Sequence, residues 1–391
     1  MLPGGGARGA FQVGVLKAIA EILPRDAANP FNVLSGTSAG ALNSIVLATR
    51  AHRLRTGVAE LERVWGHFRC NQVYRTDHLT MLKSSLRWMA ALVLGGWLVG
   101  MPKSLLDNSP LRKLLERNLH FPRIQDAIEA GHLDAIAVTA AGYASARSTT
   151  FFEASPEQPG WERTRRAGHN TALGLDHLMA SVAVPYVFPP VRIGNEYFGD
   201  GAMRQATPLS PVVHLGADRI LVIGIRDETG GVEPDAADEP PSFAQIAGYM
   251  LDTLFMDGLY SDLERITRVN DLLDSVPDTE LQAGDRRFRP IDTMLVVPSR
   301  DVRELAEKHR AELPFAIRAL LRGVGGKSPG ENKLLSFLLF ERAYTRELIK
   351  LGYEDAMKVR DELRDFVTGA EVPRLFAPSW IKRDLSAFNP D

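Results

Sequence analysis

Gly36-Thr37-Ser38-Ala39-Gly40 places a serine between two glycines, after the apolar run Phe31-Asn32-Val33-Leu34 and before a helical pattern over Ala39–Arg50. Gly-x-Ser-x-Gly between a strand and a helix reads as a nucleophile elbow. The glycines remove side chains that would clash in the sharp turn, and the serine hydroxyl stands at a helix N-terminus that favours developing negative charge. A second glycine turn precedes it, Gly4-Gly5-Gly6-Ala7-Arg8-Gly9. It opens a helix over Ala10–Leu23 with Phe11, Val15, Leu16, Ile19 and Ile22 or Leu23 on one face, ended by Pro24. Such a turn offers bare backbone N–H groups to an oxyanion. Strand, glycine loop, helix, strand, elbow and helix form an α/β pattern with a largely parallel sheet. Met1-Leu2-Pro3 runs straight into the glycines and leaves only Met1-Leu2 for a strand, so the first strand is either very short or continues in residues upstream of this sequence.

Further along, Leu133–Thr139 reads as a core strand and Ser148–Phe152 as its hairpin partner. Ala172–Val184 is helical until Pro185, Pro189 and Pro190 break it. Val191–Ile193 and Glu196–Phe198 flank Gly194-Asn195, a turn. Arg219–Ile225 is an apolar, central strand. Asp227–Pro241, rich in Pro, Gly and acids, reads as a loop or linker. Phe243–Leu273 is helical, Thr293–Val297 returns as a strand, and Val302–Val367 is mostly helix with breaks around Gly323–Gly330 and Gly352. No internal repeat is present.

Gly199-Asp200-Gly201-Ala202 follows the strand-like Glu196–Phe198, and an Asp flanked by glycines at a strand end is sterically free to meet another loop. Taken in order, Gly-Gly-Gly-x-Arg-Gly, Gly-Thr-Ser-Ala-Gly and Asp-Gly-Ala resemble the patatin-like phospholipase family. So do Ala180-Ser181-Val182-Ala183-Val184-Pro185-Tyr186-Val187-Phe188-Pro189-Pro190-Val191, Pro208-Leu209 and Leu215-Gly216-Ala217-Asp218. The resemblance covers roughly residues 2–226, with Ala202 where the family usually has glycine. It implies a dyad of Ser38 as nucleophile and Asp200 as base, and an oxyanion hole from Gly4, Gly5 and Gly6 with Arg8 lending positive charge. The elbow glycines are Gly36 and Gly40. A serine needs an adjacent base, and burial would favour Asp200 as a proton acceptor at neutral pH. The reaction is then acyl transfer from a lipid ester, phospholipase A or lysophospholipase in kind, with no cofactor and no metal. The alternative is a lipid-binding or regulatory protein on an inert scaffold of the same type.

Other patterns are weaker. Gly4, Gly6 and Gly9 also fit Gly-x-Gly-x-x-Gly, but Glu21 falls inside the first helix where a dinucleotide site needs an acid closing a second strand. Gly323-Val324-Gly325-Gly326-Lys327-Ser328 lacks the first glycine of a phosphate loop, that position being Leu321. A Ser–His–Asp triad would call on His214 or His309, both read as surface residues, while His177 reads as structural. Arg163, Arg165 and Arg166 beside Trp161 read as a solvated loop.

Trp88–Met101 is the most apolar stretch, bracketed by Arg87 and Lys103, and shorter than the roughly 20 residues that span a bilayer. It is either a buried helix hairpin of a cap or a lid dipping into a membrane through Trp88 and Trp97. The cap is expected over about 57–119, within a catalytic core of 1–226. A mostly helical region, 242–391, follows the 227–241 loop. Its residues Phe337, Leu338, Leu339, Phe340, Tyr344, Leu348 and Ile349 are expected to pack on the core or to form a homo-oligomer face. The overall expectation is a three-layer α/β/α core with a mainly parallel sheet.

With Lys+Arg at 46 and Asp+Glu at 48, a net charge of −2 gives no reason to expect nucleic acid. Cys70 is the only cysteine, which excludes an intrachain disulfide and a Cys-based zinc site and suits a reducing compartment. No signal peptide is visible. The expected location is cytoplasmic, with peripheral contact at the inner face of a membrane as the further option.

Overall fold

The computed structural model describes residues 1–76, 104–226, 243–275, 289–319 and 331–381. The apolar stretch Trp88–Met101 with its two tryptophans, the acidic 227–241 segment and Gly323–Ser328 lie outside the described residues.

Among the described residues ten strands carry the fold: β1 (Val33–Thr37), β2 (Ala135–Gly142), β3 (Ser148–Ala154), β4 (Trp161–Arg163), β5 (Arg166–Asn170), β6 (Val191–Ile193), β7 (Glu196–Asp200), β8 (Arg219–Ile223), β9 (Asp292–Val296) and β10 (Leu375–Phe376). The sheet is mixed. β1 lies parallel to β2, β3 runs antiparallel to β2 as a hairpin and parallel to β5, and β4 closes that edge. On the other side β8, β9 and β10 form a parallel trio. Met1-Leu2 stitches the two parts together. Leu2 bridges Gly36 of β1 in parallel, while Met1 N–H donates to Leu221 at 2.7 Å and Met1 C=O accepts from Ile223 at 3.2 Å. From β2 through β1, Met1-Leu2, β8 and β9 to β10, all neighbours are parallel, so the two residues before the glycine loop serve as its strand.

The helices are α1 (Ala10–Ile22), α2 (Ala39–Ala48), α3 (Leu54–Trp65), α4 (Cys70–Val73), α5 (Ser109–Asn118), α6 (Pro122–Glu129), α7 (Leu175–Ser181), α8 (Ser210–His214), α9 (Phe243–Asp274), α10 (Val302–Lys308), α11 (Glu331–Leu338), α12 (Arg342–Lys358) and α13 (Arg360–Thr368). Strand alternation sorts them into layers. Ile136, Val138, Leu221, Ile223, Met294 and Val296 point to one face and join the core of α1, α2, α3 and α12. Ile220, Val222, Leu295 and Val297 point to the other, against Leu209 and Val212 near α8 and Leu259 and Leu263 of α9. A three-layer α/β/α molecule results.

Gly352 does not break a helix. It lies inside α12, which crosses α1 where Gly14 and Gly352 face each other. A Cβ at Gly352 would overlap the Phe11 carbonyl oxygen, and one at Gly14 the Ile349 carbonyl oxygen. Close approach of two backbones, not a turn, places glycine there. Tyr344, Leu348 and Ile349 of α12 belong to the same hydrophobic core as Phe11 and Leu16. Among the described residues no helix is long and apolar enough to cross a membrane.

Candidate active site

β2 brings two distant segments to one edge. Along that edge Thr37 of β1 pairs with Thr139, and β1 then ends. The next residue, Ala140, pairs with Asp200 of β7, which takes over the edge in the antiparallel sense. Ser38, one residue past Thr37, therefore meets Asp200 where one strand gives way to the other.

Ser38 sits in the turn between β1 and α2 with φ 54 and ψ −124, a region that non-glycine residues seldom occupy. Such strain persists only where the surroundings over-determine it. Here they do. Gly40 packs so closely on Leu2 that any Cβ would overlap its carbonyl oxygen. Ser38 N–H donates to Ser181 Oγ at 2.9 Å, and Ser181 Oγ–H donates to Thr139 C=O at 2.7 Å. Thr37 Oγ1–H donates to Gln205 Oε1 at 2.6 Å, tying the elbow to the loop after Asp200.

Asp200 is buried. Its backbone N–H donates to Ala183 C=O at 2.8 Å and its Oδ1 accepts from Ala202 N–H at 3.0 Å. Burial pushes the carboxyl up to about 7, opposed by the neighbouring Ser38 hydroxyl and by the Ala202 amide. Oδ2 is buried without a hydrogen bond of normal geometry. Catalytic contacts often tighten only when substrate arrives.

The glycine loop is held at both ends by a buried amide network. Gln12 Nε2–H donates to Pro3 C=O at 2.9 Å and to Ile223 C=O at 3.3 Å. Asn43 Nδ2–H donates to Gly9 C=O at 3.2 Å and to Gln12 Oε1 at 2.9 Å, and Trp65 Nε1–H donates to Asn43 Oδ1 at 2.7 Å. Gln12, Asn43, Ser181 and Gln205 were not singled out from sequence. A polar residue on the apolar face of a helix is a signal that could have found Gln12 and Asn43.

Arg8 is not a free charge beside the loop. Its side chain is 1% exposed and ion-paired with Asp252 at 2.8 Å. It enters the site as half of a neutral pair.

Gly6 and Ser38 open onto an apolar cavity of about 60 Å³. Its walls come from Trp65, Phe188, Leu251, Leu334, Phe337 and Phe340, among others. Larger cavities of about 540 Å³ lie elsewhere, away from both Ser38 and Asp200.

His177, His214 and His309 are committed to local contacts. His177 Nδ1 accepts from Gly174 N–H at 3.0 Å and its ring packs on Phe151. His214 bonds Ser210 C=O and packs on Trp161, and His309 bridges Glu312 and Glu347. Glu21 accepts from Tyr353 Oη–H. Arg166 bonds the Thr207 hydroxyl. Among the described residues no His/Cys/Asp/Glu cluster has the makings of a metal site.

The sequence model of the patatin-like phospholipases matches residues 1–213, from the glycine loop past Asp200. The chain belongs to the patatin-like phospholipase family. A cGAMP-activated phospholipase of Pseudomonas aeruginosa (strain BWHPSA011 / Pa011) is 27% identical over 210 residues, 53% of each chain. The match thus spans about half the length of that relative. VipD from Legionella pneumophila aligns over 92% of this chain and 66% of its own, at 13% identity and a TM-score of 0.38. The patatin-like match ends before β8, so α9 and α11, which wall the apolar cavity, lie beyond it.

Proposed function

We propose that the protein is a serine acyl-hydrolase that cleaves fatty-acyl esters of lipids, with phospholipid as the substrate class. The meeting of Ser38 and Asp200 on one edge of β2, with Ser38 lining an apolar cavity, carries this reading. Ser38 Oγ attacks the ester carbonyl carbon while its proton passes to Oδ2 of Asp200, the oxygen left without a partner. A carboxyl held near 7 accepts that proton far better than an ordinary carboxylate and can return it to the departing alcohol. The tetrahedral oxyanion is held by backbone N–H groups of the Gly4–Gly6 loop, assisted by the N-terminus of α2. Water, activated by Asp200 in turn, attacks the acyl-serine and releases the fatty acid. No step calls on a cofactor.

Fatty-acid release from mixed phospholipid vesicles by wild type, Ser38→Ala and Asp200→Asn tests this. Release by wild type alone is expected. Release that survives Asp200→Asn assigns the base elsewhere. No release by any of the three, with intact vesicle binding, favours a lipid-binding protein on this scaffold.

A further inference from the structure

Glycine-rich loops are conformationally permissive, yet amides that hold an oxyanion must be fixed to within a fraction of an ångström. The Gln12–Asn43 network secures the two ends of the Gly4–Gly9 loop. Its middle is secured by something outside the patatin-like match. The Arg8 guanidinium, 1% exposed, donates from Nη1 to Asp252 Oδ1 at 2.8 Å. Nε and Nη2 donate to Ser336 Oγ at 2.9 and 2.7 Å, and the guanidinium lies over the Phe337 ring at 3.9 Å. Ser336 has no freedom left, because its hydroxyl proton goes to Lys333 C=O at 2.7 Å. Two residues before Arg8, Gly6 adopts φ 54 directly against the Phe337 carbonyl oxygen, which any Cβ would overlap. The loop therefore rests on α9 and α11 through a buried ion pair, a twice-accepting hydroxyl, a ring face and a backbone contact.

Resting on the acyl-hydrolase reading, we propose that Asp252 of α9 and Ser336 of α11 are positioning residues. They hold Arg8, and through it the Gly4–Gly6 amides, in the shape that receives the oxyanion. Arg8 acts as a tether and not as a charge presented to substrate. The helices beyond residue 213 then form part of the catalytic unit, supplying both the anchor for the loop and, through Leu251, Leu334 and Phe337, a wall of the cavity that Ser38 faces.

The experiment uses the full chain as wild type, Asp252→Asn, Ser336→Ala and Ser336→Thr. kcat and KM are measured on p-nitrophenyl butyrate, and the rate of Ser38 modification by a fluorophosphonate, whose phosphoryl oxygen must enter the same hole, is measured alongside. Misplacing a reacting or stabilising group by about 1 Å costs up to roughly 100-fold in rate. Asp252→Asn, which leaves the guanidinium buried without its counter-charge, is expected to lose about 30- to 100-fold in kcat and in labelling rate. Ser336→Ala is expected to lose about tenfold, and Ser336→Thr, which keeps the hydroxyl, to recover most of it. KM stays within about twofold in each case, since the carbonyl's ground-state binding is not what the loop provides. A purely structural role would lower the melting temperature and leave kcat of the folded protein intact. If Asp252→Asn does not fold, the Ala/Thr pair at 336 decides alone. Folded variants with kcat and labelling rates within twofold of wild type would overturn the tether while leaving the hydrolase reading standing. A wild type that neither turns over ester nor takes the label overturns the hydrolase reading, and the tether with it.

Discussion

At the scale of single residues, Asp200 sets function against stability. Its carboxyl is near 7 in the folded protein and has an ordinary value of 3.8. Between those values the folded state holds a proton that the unfolded chain has released, so stability falls as pH rises. The contribution of neutral Asp200 is present in full below about 3.8 and is lost as pH rises through about 7. On the proposed mechanism activity runs the other way, since only the ionised carboxyl would accept the Ser38 proton. The rate is expected to climb through about pH 7 and level above it. Asp200→Asn removes the charge and keeps the shape. Thermal melts should therefore place the variant above wild type at pH 8, by up to a few kcal/mol in stability, with the gap closing at pH 4. A variant that melts below wild type at pH 8 contradicts this account of the buried carboxyl. The motifs marked Ser38 and Asp200 as a candidate pair, and β2 brings the two to one edge. The roles of Ser181, which accepts from the Ser38 N–H, and of Gln205, which accepts from the Thr37 hydroxyl, were not legible in sequence, because each acts through contacts across the fold that no local spacing marks.

At the scale of elements, local signals carried as far as backbone sterics and alternation reach. The hairpin around Gly194-Asn195 formed as its turn residues dictate, with Gly194 at φ 58. Arg219–Ile225 became β8 over Arg219–Ile223 because both of its faces are buried in the parallel run. Trp161 and the Arg163–Arg166 cluster, read as a solvated loop, instead fall in β4 and β5 and the turn between them, and β10 was not expected; these strands are short and β4 is largely exposed, so no apolar alternation marks them. Gly352 misled for a different reason, since glycine signals a break only when nothing closer needs the space. That distinction is measurable. Helix propensity alone predicts that Gly352→Ala gains about 1 kcal/mol. Overlap with the Phe11 carbonyl, a rigid backbone atom in the first turn of α1, opposes this, and overpacking of that kind costs about 1–3 kcal/mol or more. The contact wins, and the variant is expected to unfold at lower denaturant than wild type. A rise in midpoint would mean that α12 slides on α1 to make room.

The whole molecule is needed to build the cavity at Ser38, and this sets what the site can measure on a substrate. Gly6 and Ser38 line it together with the packed rings of Trp65, Phe68 and Phe340, with Val182, Val184, Val187 and Phe188, and with Leu251, Leu334 and Phe337. Sequence could not foretell this shape, because its walls are drawn from segments hundreds of residues apart, and the Arg8–Asp252 contact alone spans 244 positions. The walls are stiff. Trp65 stacks on Phe340 with centroids 6.3 Å apart, Phe68 meets both rings edge-on, and the Trp65 indole is pinned to Asn43. The cavity is small, about 60 Å³, so the described walls enclose only the first few carbons of an acyl chain. Each enclosed methylene contributes about 0.8 kcal/mol, and each one beyond the cavity much less. Across a series of p-nitrophenyl esters, kcat/KM should rise from acetyl to about hexanoyl and then flatten. Leu334→Ala, which shortens a wall without touching the Arg8 anchor, should carry the rise two or three carbons further and lift the decanoyl-to-butyryl ratio by roughly tenfold. A plateau that stays at the same chain length in a folded Leu334→Ala protein would mean that the acyl chain leaves Ser38 by another path, and that this cavity is core packing rather than a binding site.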